Sequence, residues 1–292
     1  MTEPVLNVID PHLHLFDLQQ GDYHWLKPQQ APLWSDKHLI RGNFTQADLT
    51  LGSTFKLAGF VHIEAGFDNH QPWREIDWLE KHCSGPFKTV AFADITAKAF
   101  GQHLDQLTQR QSIVGIRFIL DEQAERILSA DLTKQHFMLL SQANLNFDAQ
   151  FSMTDAKASA SLVELANQFP DVAIIINHAG WPPAKDAVES RDIWQLNLQK
   201  LAECKNIAIK LSGWEMADRA WQPQFASSTI QDCIISFGEN RVMLASNFPL
   251  CLFSMPYAEL WNTYAALPNI SRETFEKLTF SNAKTWYKLK TD

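Results

Sequence analysis

The sequence predicts an α/β protein, a (β/α)8 barrel formed as a single domain by residues 1–292. Three observations carry that expectation. Short runs rich in Val, Ile, Leu, Ala and Phe recur eight times along the chain. Each is followed by a longer segment with helical spacing or charge pattern. Successive runs lie roughly thirty residues apart, the size of a βαβ unit. Near-continuous apolar strands that alternate with helices pair in parallel and are buried on both faces. Eight such units make the barrel the first choice, with an open doubly wound sheet as the second.

Taken in order, the first run is Val5–Asp10 ("VLNVID"), apolar up to an acidic end, and Leu57–Ile63 ("LAGFVHI") is the second. Lys88–Asp94 ("KTVAFAD") and Ile113–Phe118 ("IVGIRF") follow, then Leu145–Phe151 ("LNFDAQF") and Val172–His178 ("VAIIINH"). Ile207–Ser212 ("IAIKLS") and Val242–Asn247 ("VMLASN") complete the set. Between them, Trp73–His82, Ala97–Gln109, Asp155–Phe169, Asp186–Cys204 and Pro223–Phe237 read as helices. The first connection, from Leu15 to about Asn43, has no clear helical period. It carries Tyr23, Trp25, Pro28, Pro32 and Trp34, which suggests a structured loop over the barrel mouth.

Composition narrows the function. The chain has no apolar run of ~18 residues, and its N-terminus lacks the basic-then-apolar pattern of a secretion signal, so a cytosolic location is the default expectation. Cys83, Cys204, Cys233 and Cys251 are far apart and form no Cys-x-x-Cys pair, which predicts reduced, mostly buried thiols. A net charge of −8 without a Lys/Arg cluster argues against nucleic acid or an anionic membrane as partner and leaves a small molecule. No organic cofactor is indicated, and self-association into a homo-oligomer is left open.

In barrels of this kind the chemistry sits at the C-terminal ends of the strands. The first end offers Asp10, His12 and His14, the second His62 and Glu64, the third Asp94, the fourth Arg117. The fifth offers Asp148 and Gln150, the sixth His178, the seventh Lys210 and Ser212, the eighth Asn247. Side chains at i and i+2 of a strand point the same way, so His12 and His14 leave the first strand on one face. With His178 arriving from across the barrel, three imidazoles can meet, as a three-ligand catalytic zinc site requires. The plainer reading is that they cap strand ends and bond to backbone. Arg117 and Lys210 are either pocket cations for an anionic substrate or internal partners of Asp94 and Asp148. Trp25, Trp181 and Trp214 are placed to give the mouth aromatic faces that stack on a sugar ring or flat lactone, or else simply to pack loops down.

The ordered set "VIDPHLHLFD", "YHWL" (Tyr23–Leu26), "VGIR" (Val114–Arg117), "NHAGWP" (Asn177–Pro182), "KLSGW" (Lys210–Trp214), "RVMLASNFPL" and "SNAKTWYKL" (Ser281–Leu289) runs from end to end of the chain. It resembles the amidohydrolase-related family of TIM-barrel hydrolases, in particular the lactonase-like branch with its sugar-lactone and pyrone-dicarboxylate lactonases. The resemblance implies hydrolysis at a small carbonyl compound. It also implies His12, His14 and His178 as site residues, which hold a divalent metal in some members and work without one in others. Decarboxylases belong to the same superfamily.

One departure bears on mechanism. Where the family usually has Ser-Asp-Trp/Phe-Pro, this chain reads Ser246-Asn247-Phe248-Pro249. The aspartate usual there takes a proton from the attacking water, whereas an amide orients a water but cannot serve as general base. Glu64, Asp94, Asp148 and His178 are the candidate acceptors, with Asp148 and Glu64 ranked above Asp94. Three neutral imidazoles with no anionic fourth ligand predict weak or partial metal occupancy, zinc being the first choice. The expected function is hydrolysis of a small cyclic ester. The alternatives are decarboxylation of a small unsaturated or aromatic acid, and ligand binding with hydrolysis impaired at Asn247. Acidic residues at the mouth outnumber the cations, which favours a neutral or weakly acidic sugar-like substrate.

Overall fold

The computed structural model describes residues 5–291. Eight strands follow one another in chain order round one parallel sheet. They are β1 (Leu6–Leu13), β2 (Phe55–Ile63), β3 (Phe87–Phe92), β4 (Ile113–Ile119), β5 (Asn146–Gln150), β6 (Ile174–Ile176), β7 (Ile207–Leu211) and β8 (Val242–Leu244). Just beyond β8 the ring is drawn together: Asn247 N donates to His12 O at 2.8 Å and His14 N to Phe248 O at 2.6 Å. The chain is therefore a (β/α)8 barrel, nearly closed, and each of the eight apolar runs supplies a strand.

The helices are α1 (Trp73–His82), α2 (Phe100–Leu107), α3 (Ala124–Leu128), α4 (Asp131–Ala143), α5 (Ala156–Gln168), α6 (Val188–Glu203), α7 (Trp214–Ala217), α8 (Pro223–Phe237), α9 (Tyr257–Ala265), α10 (Arg272–Glu276) and α11 (Asn282–Trp286). Those expected from spacing all form. Helix α4 was not expected, and its core face shows why: Thr133 and His136 are buried beside Phe137 and Leu140, which dilutes the apolar period. Three cysteines are buried, Cys83 is half-buried, and all four are free. Among the described residues no helix is long and apolar enough to cross a membrane.

Several strands stop earlier than their apolar runs suggest, and β6 and β8 do so where the chain turns sharply. After Ile176 and after Leu244 the backbone turns, with His178, Ala179 and Asn247 at φ of 54°, 52° and 58°. Left-handed backbone cannot continue a ladder, so these residues swing out of the sheet at the mouth. Strand β1 runs longer than expected and carries a bulge: Asp10 pairs with Phe60 and Leu13 with His62, so three steps on β1 match two on β2. The extra residue falls at Pro11–His12, where proline has no N–H to give to the ladder.

Seven strands contribute to one buried cluster that includes Ile9, Val61, Val90, Val114, Ile175, Ala208 and Met243, closed off by Ala283, Tyr287 and Leu289. A ring drawn from nearly every strand is the barrel interior, and the C-terminal segment stoppers it. Strand β5 is the strand without an apolar member. Its contribution is Asp148, fully buried and paired with the fully buried Lys210 of β7 at 2.5 Å. The Tyr287 hydroxyl adds hydrogen bonds of 3.2 and 3.0 Å to the same carboxylate.

Removing one member of such a pair leaves the other charge buried and unmatched, at a cost of ~3–5 kcal/mol, whereas replacing both by apolar groups costs far less. Lys210→Met is expected to lower urea-unfolding stability by that amount, and Lys210→Met with Asp148→Leu to recover most of it. Equal losses in the single and double variants would mean that the pair is not the source of the effect.

Candidate active site

Three corners at the C-terminal ends of the strands place the histidines. The bulge in β1 presents His12 with its ring centroid 5.1 Å from that of His14, and His178 approaches from β6 to 4.6 Å from His12. His14 Nδ1 lies 2.7 Å from Ile63 O. A carbonyl only accepts, so Nδ1 carries the hydrogen and Nε2 keeps its lone pair. His178 is held at Nδ1 by Ser212 Oγ at 3.0 Å. His12 is fully buried and neither ring nitrogen has a hydrogen-bond partner. An orphaned imidazole in a dry interior is costly, and a bound cation or ligand atom would satisfy it.

All three rings are held neutral. Burial pushes each of them well below the ordinary histidine value of 6.5, and the nearby positive charge of Arg117, joined at His12 and His178 by that of Lys210, adds to the effect. Neutral imidazole is the form that ligates metal. As the side chains stand, though, no three His, Cys, Asp or Glu among the described residues form a ready ligand cage. The donor chemistry fits a divalent ion, and the spacing is not preset for one.

Above the histidines opens a cavity of about 650 Å³. Trp25, Trp34 and Trp181 give it aromatic walls, Phe118, Met216 and Leu250 add apolar surface, and His14, His178 and Asn247 form its foot. The loop wall is fixed. Lys37 is buried and its ammonium donates to the carbonyls of Trp25, Gln30 and Lys27 at 2.8, 2.7 and 3.2 Å. Trp25 Nε1 donates to Ala65 O at 2.7 Å, and Arg219 joins Asp36 of the loop at 2.7 Å.

The cations are already matched. Arg117 Nε donates to Glu64 Oε1 at 2.8 Å, Nη2 to Glu64 O at 2.7 Å and Nη1 to Gln150 Oε1 at 3.2 Å. Arg117 and Glu64 both border the cavity. Lys210 does not: it lies two residues down β7 from Ser212, paired with Asp148, and burial draws its ammonium down to about 8. The structure places Asp148, a candidate base, and Lys210, a candidate substrate contact, fully buried against each other beneath the site, the internal pairing that the sequence left open for Lys210, and neither borders the cavity. Trp214 also fails to reach the cavity, because it is buried with its Nε1 donated to Tyr264 Oη at 2.8 Å. Asp94 is taken up in a turn, accepting from Thr96 N at 2.8 Å and Thr96 Oγ1 at 2.7 Å.

One carboxylate near the site, Glu215, escaped the reading of strand ends, and a second, Asp10, was marked there without a role. Asp10 accepts from Ser246 N and the Tyr257 hydroxyl, both at 3.1 Å, and so stitches β1 to the corner after β8; burial pushes its carboxyl up to about 6. Glu215 of α7 accepts from Asn247 Nδ2 at 2.6 Å, and burial pushes its carboxyl up to about 7. Glu215 lies four residues past the end of β7 in a four-residue helix, where no periodicity marks it. Its one signal was position, directly after "KLSGW".

Comparison with known proteins agrees with this architecture. The chain is 30% identical to uncharacterized protein y4mH of Sinorhizobium fredii, over 97% of this chain and 98% of that one. It is 22% identical to an L-fucono-1,5-lactonase of Burkholderia multivorans, over 86% and 85% of the two chains. An amidohydrolase of Burkholderia multivorans solved with bound zinc superposes with a TM-score of 0.79 at 17% identity, covering 97% of this chain and 99% of the other. The amidohydrolase family model matches residues 9–289, and the chain belongs to that family of hydrolytic barrels.

Proposed function

We propose that this protein hydrolyses a small, uncharged cyclic ester of the sugar-lactone type. The observation that carries the reading is the foot of the cavity: neutral imidazoles and an amide beneath aromatic walls, with the bordering cation already paired to Glu64. Aromatic faces suit the apolar side of a sugar ring. Asn69, Asp121 and Gln150 at the walls supply donors and acceptors for hydroxyls. A carboxylate-bearing ligand would have to compete with Glu64 for Arg117 and would also meet Asp121. The likeness to a fuconolactonase supports the same substrate class.

Within this site each residue has a task. His12, His14 and His178 would hold a divalent ion, which when bound supplies Lewis-acid polarisation of the ester carbonyl. Asn247 orients the attacking water through its amide oxygen. Of the four acceptors considered from sequence, Glu64 and His178 border the cavity. Glu64 is the proton acceptor, fixed by Arg117 so that its carboxylate cannot turn away. The aromatic loop wall limits water around the ester.

Titrating the acid released from a panel of lactones tests the substrate class. Neutral sugar lactones are expected to turn over and carboxylated pyrones to be poor substrates. Arg117→Met should then impair folding more than it alters preference. A folded Arg117→Met variant that specifically loses affinity for carboxylates would reverse the assignment.

Glu64→Gln is expected to lower kcat by roughly 10²–10⁴, the range for general acid–base catalysis, and Asn247→Ala by only about tenfold. Near-normal turnover in Glu64→Gln together with a dead Asn247→Ala would overturn this division of labour.

The neutral histidines also set a pH dependence of stability. Below 6.5 the unfolded chain takes up three protons that the folded rings refuse, so stability falls as pH drops through that value. Asp10 and Glu215 work the other way. Their carboxyls are raised from 3.8 and 4.5 to about 6 and about 7, so their contribution is present at low pH and lost as pH rises through the folded values. Glu75 and Asp121, also raised by burial, add to the opposing side, and the histidine uptake is expected to outweigh it, for a net loss on acidification. Urea midpoints of chelator-treated protein should fall between pH 7.5 and 5.5, and less steeply in His12→Phe. A midpoint that rises on acidification would mean the rings are charged in the native protein.

A further inference from the structure

The corner that follows β7 touches the site twice. Ser212 Oγ lies 3.0 Å from His178 Nδ1, and Glu215 Oε1 accepts from Asn247 Nδ2 at 2.6 Å. Between them Gly213 sits at φ 76°, and a Cβ there would come within 2.7 Å of His178 Nδ1. The corner therefore packs against one site residue and holds another by a hydrogen bond.

Asn247 has little freedom apart from its amide. Its backbone is left-handed, its N–H is bonded to His12 O at 2.8 Å, and its carbonyl accepts from Leu250 N at 2.8 Å. What remains is which end of the amide faces the cavity. An amide presents a donor at one end and an acceptor at the other, and only the acceptor end can take a hydrogen from a water. The Glu215 oxygen draws the NH₂ end to itself, which leaves the oxygen end beside His14 at the cavity that both residues border. Glu215 is itself buried, does not border the cavity, and has its backbone carbonyl engaged by Arg219 Nη1. It can act on the site through Asn247 without touching a substrate.

We propose that Glu215 is a positioning residue for the hydrolysis, holding the Asn247 amide with its oxygen toward the attacking water. The proposal rests on the hydrolase reading above. Its content is that the acceptor oxygen of Glu215 matters only while Asn247 is there to be oriented.

The test is a double-mutant cycle with a structural readout. Glu215→Leu removes the acceptor and is expected to lower kcat by about tenfold with KM within about twofold, short of the ~10²-fold that a 1 Å misplacement of reacting groups can cost. Glu215→Gln keeps an acceptor oxygen at similar reach and is expected to lose less than about threefold. In an Asn247→Ala background, Glu215→Leu should cause no further fall, because interacting residues are not additive. Independent losses that multiply, or equal losses in Glu215→Gln and Glu215→Leu, would overturn the proposal. Should Glu215→Leu not fold, Glu215→Gln carries the decision through the side-chain amide protons of Asn247, identified by NMR as the pair missing from Asn247→Asp. Recorded well above pH 7, so that Glu215 with its carboxyl at about 7 is ionised, they should lie downfield in the wild type and move upfield in Glu215→Gln, as expected when a charge-assisted hydrogen bond is weakened. An unmoved pair overturns the positioning role. A pair that moves in a protein that opens no lactone upholds the contact and removes the hydrolase reading instead.

Discussion

The ion pair of Lys210 with Asp148 supports the rest of the structure. Two charges taken fully out of water cost several kcal/mol each unless they are matched closely and their remaining hydrogen-bonding capacity is filled. Here the match is 2.5 Å, and the Tyr287 hydroxyl completes the carboxylate. The pair thus ties β5 and β7 to the C-terminal stopper inside the barrel. Lys210 also reaches toward Pro11 O at 3.5 Å, just before the bulge that delivers His12. Its charge lies under the histidines and, after burial itself, is the largest influence that keeps His12 neutral. The interaction that fills the barrel also sets the protonation of the site above it.

Over that layer, the site is made by corners rather than by strands. His178, Ala179, Trp181 and Asn247 all have positive φ, a conformation that costs a non-glycine residue ~1–3 kcal/mol and persists only where the surroundings over-determine it. Those surroundings can be named. Trp194 Nε1 donates to Ala179 O at 2.9 Å, Met153 N to Gly180 O at 2.9 Å, and Asn247 N to His12 O at 2.8 Å. The corner after β8 is bonded to the bulge in β1, so the strand that supplies two histidines also sets the amide beside them. Closing the barrel and assembling the site are the same set of hydrogen bonds.

This explains what the sequence could and could not disclose. Period and spacing mark elements whose burial is regular, so all eight strands and the long helices other than α4 were legible. The strand ends also marked His12, His14, His178, Glu64, Arg117 and Asn247, because polar residues that close apolar runs need a wet or paired environment. Pairing was legible only as one of two open readings, which included Lys210 with Asp148. Arg117 could have met Asp94 or Glu64, and the folded barrel gives it Glu64. Asp148 and Lys210 read as strand-end residues, yet each is one alternation too deep to reach the mouth. Glu215 sits in a single helical turn, too short to carry a period, and Lys37 reads as an ordinary surface lysine until its three carbonyl partners are seen.

The distribution of charge follows from the same packing. Asn247 sits at the foot of the cavity where a second carboxylate would stand against Glu215, 2.6 Å from its present nitrogen. Two ionised carboxylates at that separation cannot both persist, and one would take up a proton. An amide avoids the conflict because it donates to Glu215 and keeps an acceptor for the cavity. The Glu215 carboxyl, which burial raises to about 7, is thus kept one residue behind the wall, and the Glu64 carboxylate is balanced by Arg117. The lining brings neutral imidazole, amide and indole together, with the Arg117–Glu64 pair and Asp121 also bordering it, and on the reading proposed above it suits an uncharged lactone.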